Sequence, residues 1–318
     1  MITIREESFE NIEEKWNLLY SKSITATFFQ NFDWIRIWLK HFSDQISKVL
    51  ILGVYENEVL IGLVPFSVHG NTVDFLGTTV VEESASLADY GDSITNAKSV
   101  DTVWREIINY LEEKKLKGEF SYIREDSLSY ISLSKVSKKR EVIEVSPFLN
   151  LPDKWEEYVA GLDRHDRHEL RRKMKKTEEK GMVLVDYDGG KKQIEELFRL
   201  ISVSNQNKSQ FLTPKVKDFF REAVNYFFPQ NKLMFYLLTM DNENIAVLFG
   251  FYHNNSALLY NSGFDPRFAN FSPGLVLNAH AIRKSIEKGI NQYDFLRGSE
   301  RYKYDLGGVD RKLYKIFI

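Results

Sequence analysis

Residues 272–274 read Ser-Pro-Gly, a composition that suits a helix start able to bind an anion. Serine is a favoured helix cap, proline fits the first helical turn, and Gly289 can end the helix. The first amides of a helix lack partners within it, and the helix dipole adds partial positive charge there. Because Gly274 has no side chain, a phosphate could approach this backbone closely. The alternative is an ordinary helix that happens to start with these residue types.

A second stretch with chemical potential is the segment from Arg164 to Lys180, which holds eight Lys or Arg against four Asp or Glu. Arg167, Arg171 and Lys175 are spaced i, i+4, i+8, which places them on one helix face. Such a basic ridge could face a polyanionic substrate, RNA included. A solvated helix surface is the alternative interpretation of the same pattern.

The usual catalytic motifs are absent from the sequence, which has no GxSxG, no P-loop and no HExxH. The chain has no cysteine, which excludes disulfides, thiol nucleophiles and cysteine-bound zinc. Only His165 and His168 lie at neighbouring helical positions, without a carboxylate pattern beside them. We therefore predict that the protein binds no metal.

The composition of the whole chain narrows the class of protein. With 318 residues, 43% hydrophobic content and a formal charge of −2, it fits two globular domains better than a dedicated DNA binder. The start of the chain does not resemble a signal peptide, and the longest apolar run is too short to span a bilayer. We expect a soluble cytoplasmic protein without membrane insertion.

The elements that must position these residues occur twice in the same order. A hairpin, a third strand, a loop and a helix are predicted at Val49–Glu56, Val59–Val68, Thr72–Leu76 and Asp101–Lys115. The same order is predicted at Phe235–Met240, Ile245–His253, Ser256–Asn261 and the helix that Ser272 opens. A repeat of this length indicates two copies of one α/β unit with mixed sheets. We place the boundary near Ser146-Pro147 and predict domains 1–146 and 147–318.

Five short motifs carry a resemblance to a known family. They are Phe28–Trp34 with Trp38, Asp89-Tyr-Gly-Asp92, His168-Glu-Leu-Arg-Arg172 with Gly181, Ser272-Pro-Gly274, and Asp294–Lys303 with its Tyr302-Lys303 pair. In this order they resemble the tandem GNAT proteins of the CelD type, acetyltransferase-like proteins of bacterial polysaccharide loci. The Fem peptidyltransferases are more distantly similar.

The resemblance implies a tandem duplicated GNAT-like fold and an acyltransferase that uses acyl-CoA as its donor. The acceptor would be an amine or hydroxyl of a small molecule or glycan intermediate. Ser272, Gly274 and Leu275 would bind the donor, in the second domain. The sequence departs from the family here, because the loop before this helix keeps only the last glycine of the usual phosphate-binding pattern. Two alternatives stay open, a Fem-like enzyme that uses aminoacyl-tRNA and a non-catalytic binding module on a degenerate GNAT scaffold.

Acyl transfer needs a base for the acceptor and a donor for the developing oxyanion. Asp89 is the first candidate base because it lies in a predicted loop, and Glu300 competes with it. Lys303 would bind a substrate phosphate or the oxyanion. The residues expected to bind or orient the substrate are Arg171, Arg172, Asp92, Arg297 and Tyr302. For Asp89 and Asp92, the alternative is that they merely cap turns.

Overall fold

The computed structural model describes residues 1–82 and 85–318, and it divides into two compact units. The first unit contains Met1–Val145 and Arg311–Ile318, and the second contains Ser146–Asp310. We predicted that the last eight residues belong to the C-terminal domain. In the structure they lie in the first unit instead, because their strand completes its sheet.

The first unit combines a large sheet with four α-helices in its described residues. Its elements are β1 (Ile2–Glu7), α1 (Glu13–Tyr20), α2 (Phe32–Phe42), β2 (Lys48–Glu56), β3 (Val59–His69), β4 (Thr72–Phe75), β5 (Val80–Val81), β6 (Ala85–Ser86), β7 (Ile94–Thr95), α3 (Val100–Glu113), β8 (Lys117–Arg124), α4 (Leu128–Ser134) and β9 (Lys139–Val145).

The second unit has the same kinds of element, and the chain then returns to the first unit for its last strand. The elements are β10 (Phe148–Asn150), α5 (Trp155–Gly161), α6 (Arg164–Glu179), β11 (Val183–Asp186), α7 (Lys191–Ser204), α8 (Gln206–Phe211), α9 (Pro214–Phe227), β12 (Leu233–Met240), β13 (Glu243–His253), β14 (Ser256–Phe264), α10 (Pro273–Glu287), β15 (Gln292–Asp294), α11 (Arg301–Asp305) and β16 (Lys312–Phe317).

The sheet of the first unit runs in the order β1-β2-β3-β4-β8-β16-β9, with β7 paired to β3. Its β4–β8 pair is parallel, and the other pairs along this order are antiparallel. Strand β16 hydrogen-bonds with β8 on one side and β9 on the other. The C-terminal strand therefore fills a position that local sequence patterns do not reveal.

The sheet of the second unit runs β10-β15-β14-β13-β12-β11, again with one parallel pair, β14–β15. In each unit an antiparallel meander of four strands is followed by a helix and a parallel fifth strand. The two predicted copies thus have the same strand order and direction, which confirms the mixed α/β duplication.

Turn chemistry explains why both hairpins form where the sequence predicts them. Asn57 and Glu58 connect β2 to β3 with left-handed φ angles of 46° and 68°. Asp241 and Asn242 do the same for β12 and β13, with φ angles of 51° and 64°. Asparagine and aspartate, which occupy three of these four positions, tolerate this backbone region, so two-residue turns with the right twist are available. Within the described residues, no helix is long and apolar enough to cross a bilayer.

Candidate functional site

A cavity of about 400 Å³ opens in the second unit where β14 continues past its parallel neighbour β15. The pairing of these strands ends at Leu258 and Asp294, whereas β14 continues to Phe264. Beyond Leu258, β14 has no pairing with β15, while its other side stays paired with β13 as far as Phe264. The cavity is lined by Lys173, Ser204, Asn205, Ser262, Gly263, Phe264, Ala269, Ser272, Gly274, Leu275, Asn278, Glu300 and Tyr302.

The start of α10 forms one wall of this cavity. The helix begins at Pro273, as predicted, but Ser272 does not cap it with its side chain. Ser272 has a left-handed backbone, with φ 51°, at the point where the 3-10 helix Pro266–Phe271 ends and α10 begins. Its amide donates to the carbonyl of Ala269, and its carbonyl accepts from the amide of Val276. The predicted role of the Ser272 hydroxyl as a cap is therefore wrong, while the helix start is right.

Gly274 keeps the first turn of α10 open towards the cavity. A Cβ atom at this position would lie 3.3 Å from Cδ1 of Phe264, a tight contact that a small ring movement relieves. The amides of Gly274 and Leu275 belong to the first helical turn, where no earlier helical carbonyl can accept from them. This end of α10 can therefore receive the negative charge of a ligand.

A buried polar pair fixes the position of this first turn. The side-chain Nδ2 of Asn278 donates to the carbonyl of Gly274 at 2.8 Å, and the Tyr293 hydroxyl donates to Oδ1 of Asn278 at 3.2 Å. Burial raises the pKa of Tyr293, so its hydroxyl stays protonated and remains a donor. Asn278 thus connects α10 to β15 beneath the cavity.

Close backbone packing forms another wall. A Cβ atom on Gly263 would lie 2.5 Å from the carbonyl oxygen of Leu200 and 2.6 Å from backbone atoms of Ile201. Only a glycine lets β14 approach α7 this closely. Ser204 and Asn205, at the end of α7, therefore reach the cavity lining.

Helix α6 contributes the cation of the cavity. Lys173 lines it and is partly buried, and we find no hydrogen bond or ion pair from its ammonium to the described residues. Lys176, three residues later, donates to the carbonyl of Asn270 at 3.1 Å and lies 4.8 Å from the Phe271 ring centre. The second lysine therefore holds the loop before α10, and the first is available to a ligand.

Glu300 and Tyr302 line the cavity, but Lys303 lies behind them. We predicted a polar loop around Lys303, whereas residues Arg301–Asp305 form the short helix α11. The Lys303 side chain is 2% exposed, and its ammonium donates to backbone carbonyls and pairs with Glu300 at 2.9 Å. A lysine held in this way does not present a free ammonium to a substrate.

Asp89 and Asp92 lie in the first unit, between β6 and β7, and both are buried. Asp92 accepts hydrogen bonds from the Ser93 amide and the Ser127 hydroxyl. Burial raises the pKa of Asp92 to about 6, although the nearby Arg124 charge and the hydrogen bonds act in the opposite direction. Tyr90 lies between Asp89 and Asp92 in the sequence. Its hydroxyl accepts a hydrogen bond from Arg311, the residue that precedes β16. This motif therefore contributes to anchoring the C-terminal strand.

The three arginines that were predicted to bind or orient the substrate lie at different places in the second unit. Arg172 makes a two-point ion pair with Glu169, at 3.1 and 2.7 Å, and its hydrogen bonds lower the pKa of Glu169 to about 2. Arg171 is exposed and lines a groove of about 570 Å³ on the surface of α6. The side chain of Arg297 is partly buried in the segment between β15 and α11.

The cavity thus brings together five of the residues predicted from sequence, namely Ser272, Gly274, Leu275, Glu300 and Tyr302. Lys173, Asn278 and Gly263 were missed, and the sequence offers few signals for them. Lys173 lies within a long charge run, while Asn278 is a lone polar residue beside the buried stripe of α10. Among the described residues, no group of three His, Cys, Asp or Glu is arranged to hold a metal ion.

Comparison with known families finds a match in the second unit. Residues 164–304 match the model of the Acetyltransferase (GNAT) domain, and this range lies within the second unit. A search of curated proteins by sequence found no match.

Several solved structures have the same fold, and their matches cover nearly the whole chain. The structure of FemX matches 98% of this chain and 96% of its own, with a TM-score of 0.66 and 8% identity. L-PGS from Bacillus licheniformis matches 96% of this chain and 91% of its own, with a TM-score of 0.58 and 11% identity.

A tandem GNAT protein from the clavulanic acid biosynthesis pathway matches 99% of this chain and 98% of its own. Its TM-score is 0.51 and its identity is 8%, so this likeness, like the two others, concerns the fold. Together with the duplicated strand order, these findings confirm the predicted tandem GNAT fold. The chain has a tandem GNAT-like fold, and its residues 164–304 match the acetyltransferase (GNAT) domain.

Proposed function

We propose that the second unit transfers an acyl group, acetyl in the simplest case, from acyl-CoA to an amine or hydroxyl acceptor. The acceptor class that we propose is a sugar or another cell-envelope or polysaccharide intermediate. The observation that carries the proposal is the cavity at the start of α10, which lies inside the matched GNAT domain.

The donor would be bound by charge at one end of the cavity. The amides of Gly274 and Leu275 and the ammonium of Lys173 offer positive charge to the phosphates of the donor. Phe264, Leu275 and Ala269 give the cavity an apolar lining that suits a hydrocarbon arm and a thioester. The loop before α10 lacks most of the usual glycines, so the lysine takes on part of their role in this proposal.

The transfer step needs a nucleophile, a proton acceptor and a leaving thiol. The acceptor nitrogen or oxygen attacks the thioester carbonyl carbon, the new bond forms as the carbon–sulfur bond breaks, and CoA leaves with a proton. Glu300 is the cavity carboxylate able to receive the proton of the acceptor and to pass this same proton to the leaving thiolate. The Tyr302 hydroxyl, whose pKa is raised by burial, remains protonated and can donate to the oxyanion or the acceptor. Asp89 and Asp92, in the first unit, have no part in this proposal.

Release of free CoA thiol from acetyl-CoA tests the proposal. We expect release that depends on an added acceptor, glucosamine for an amine and glucose for a hydroxyl. Lys173→Glu should raise the acetyl-CoA KM by about 10-fold or more, since it reverses a charge beside the phosphates. Lys192→Glu, at an exposed position of α7, is the matched control. Absence of thiol release and of acetyl-CoA binding would reject this function.

A second candidate is the aminoacyl-tRNA-dependent transfer that the Fem resemblance implies. It is favoured by the α6 groove, whose lining among the described residues is Arg164, His165, Arg167, His168 and Arg171, with no carboxylate in that set. Such a surface suits a phosphate backbone. Under this candidate, aminoacyl-tRNA binding should weaken steeply with salt and on the triple change Arg164→Glu, Arg167→Glu and Arg171→Glu. Under the first candidate, these changes should leave the acetyl-CoA KM unaltered.

A further inference from the structure

The buried Lys303 is bound by a set of acceptors that come from one short stretch of chain. Its Nζ donates to the backbone carbonyls of Arg297 at 2.7 Å, Gly298 at 2.9 Å and Leu296 at 3.3 Å. A fourth acceptor, Oε2 of Glu300, lies at 2.9 Å. An ammonium has three protons, so these four acceptors use its whole donor capacity.

The stretch that Lys303 binds has an unusual backbone. Leu296 has a φ of 55°, a left-handed conformation that leucine rarely adopts, and Gly298 has a φ of 105°. The amide of Leu296 donates to Oδ1 of Asp294 at 2.8 Å. Three successive carbonyls point towards one cation only because the chain turns in this way. The ammonium and this backbone turn therefore stabilise each other.

The same arrangement determines where the Glu300 carboxylate lies. A Cβ atom on Gly298 would lie 2.6 Å from Oε2 of Glu300 and 3.1 Å from its carboxyl carbon. The carboxylate thus occupies the space that any other residue at position 298 would fill, and Lys303 holds it there. Glu300 and its neighbour Tyr302 both line the cavity.

We propose that Lys303 is a positioning residue, which holds residues 296–298 and the Glu300 carboxylate in place at the cavity. This inference rests on the proposed function where it concerns transfer, and it assigns Lys303 no contact with the substrate. It differs from our expectation from sequence, in which the ammonium itself binds the oxyanion. The two roles separate experimentally, because a positioning lysine acts through Glu300.

The first test is independent of any activity. Lys303→Met preserves the length of the side chain and removes its charge, so amide hydrogen exchange over residues 295–300 should become at least about 10-fold faster. Lys303→Arg should give an intermediate rate, because its planar fork cannot reach the same acceptors. Glu300→Gln should change the exchange little, since the three carbonyl contacts remain. Lys192→Met serves as the control for loss of an exposed lysine.

Unchanged exchange over residues 295–300 in Lys303→Met would overturn the proposal. If that variant does not fold, the comparison between the wild type and Lys303→Arg decides, and equal rates in these two would overturn it as well. Acetyl-CoA is not needed for this test. Its outcome therefore stands even if the wild type binds no acyl donor and the proposed function fails.

The second test is a double-mutant cycle on acyl transfer. If Lys303 acts through Glu300, Lys303→Met should lower kcat/KM by about 10-fold or more in the wild type and by less than about 2-fold in the Glu300→Gln background. Equal losses in both backgrounds would show that the lysine acts independently of Glu300, and would contradict the positioning role. The cycle separates this role from a merely structural one. Loss of a merely structural lysine would lower kcat/KM by the same factor in both backgrounds.

Discussion

Asp92 and Lys303 are charged side chains that lie almost completely inside the protein, with 1% and 2% of their surfaces exposed. A buried charge is costly unless hydrogen bonds or an opposite charge compensate it. Ser93 and Ser127 supply those bonds to Asp92, and three carbonyls and Glu300 supply them to Lys303. Both residues thus contribute to the shape of a loop.

A pH-dependent effect follows from the raised pKa of Asp92. Between about pH 6 and the ordinary aspartate value of 3.8, the folded protein holds a proton that the unfolded chain has released. Lowering the pH through this window therefore stabilises the wild type relative to Asp92→Asn, which cannot titrate. We expect the difference in free energy of unfolding, measured in urea, to shift in favour of the wild type from pH 7.5 to pH 5. If this difference in free energy of unfolding stays constant, or shifts in favour of Asp92→Asn, the pKa of Asp92 is not raised.

Sequence patterns identify residue types better than they identify partners. Gly274, Glu300 and Tyr302 were predicted as site residues, and they line one cavity. The partners of Asp92 could not be predicted, because Ser127 is 35 positions away. Lys173 could not be distinguished from the other lysines of α6, since its place in the site depends on which face of the helix lines the cavity.

Elements with strong local signals formed as predicted. The two hairpins follow from their turn residues, and α10 follows from Pro273 and Gly289. The bulge in β14, where Asn261 pairs with Phe249 and Leu259 pairs with Gly250, is not visible in the sequence. A Cβ atom on Gly250 would lie 2.0 Å from the carbonyl oxygen of Leu258, so this glycine is required beside the bulge. Irregular strands depend on such cross-strand contacts.

The packing of β14 against α7 gives a prediction at the level of elements. Gly263→Ala should destabilise the second unit by about 3 kcal/mol, because its Cβ atom would overlap backbone atoms of Leu200 and Ile201 that have no rotamer to change. Gly161→Ala is the matched control, since a Cβ atom there meets no atom within 4 Å. Urea unfolding of both variants measures the difference. Similar midpoints for the two would contradict the close contact.

The whole molecule consists of two units of the same fold, and two separate segments of the chain, one at each end, make up the first unit. The repeat was predictable, because each copy has its own hairpin, helix and turn signals. The location of β16 was not, since its pattern of apolar residues suits any sheet with an open position. Strand pairing over such a separation depends on the tertiary structure.

The position of β16 leads to a prediction for the complete protein. Leu313 is fully buried and pairs across to Arg124 of β8 and Glu144 of β9. Leu313→Ala should cost about 2–5 kcal/mol, the usual range for a buried leucine. Amide hydrogen exchange should rise in β8 and β9 and stay unchanged in β14 and α10. A uniform rise over both units, or a rise in the second unit alone, would contradict this placement.

The central claim is that the start of α10 binds the phosphates of an acyl donor. Titration calorimetry of the whole protein with acetyl-CoA tests it most directly, with Gly274→Ala and Gly274→Asp as a matched pair. Both variants add the Cβ atom that would lie 3.3 Å from Cδ1 of Phe264, but only the second places a carboxylate where the phosphates would lie. We predict that Gly274→Ala binds within about 5-fold of the wild type and that Gly274→Asp loses at least about 30-fold in affinity. Equal acetyl-CoA affinity for the two folded variants, or no binding by the wild type, would contradict the claim.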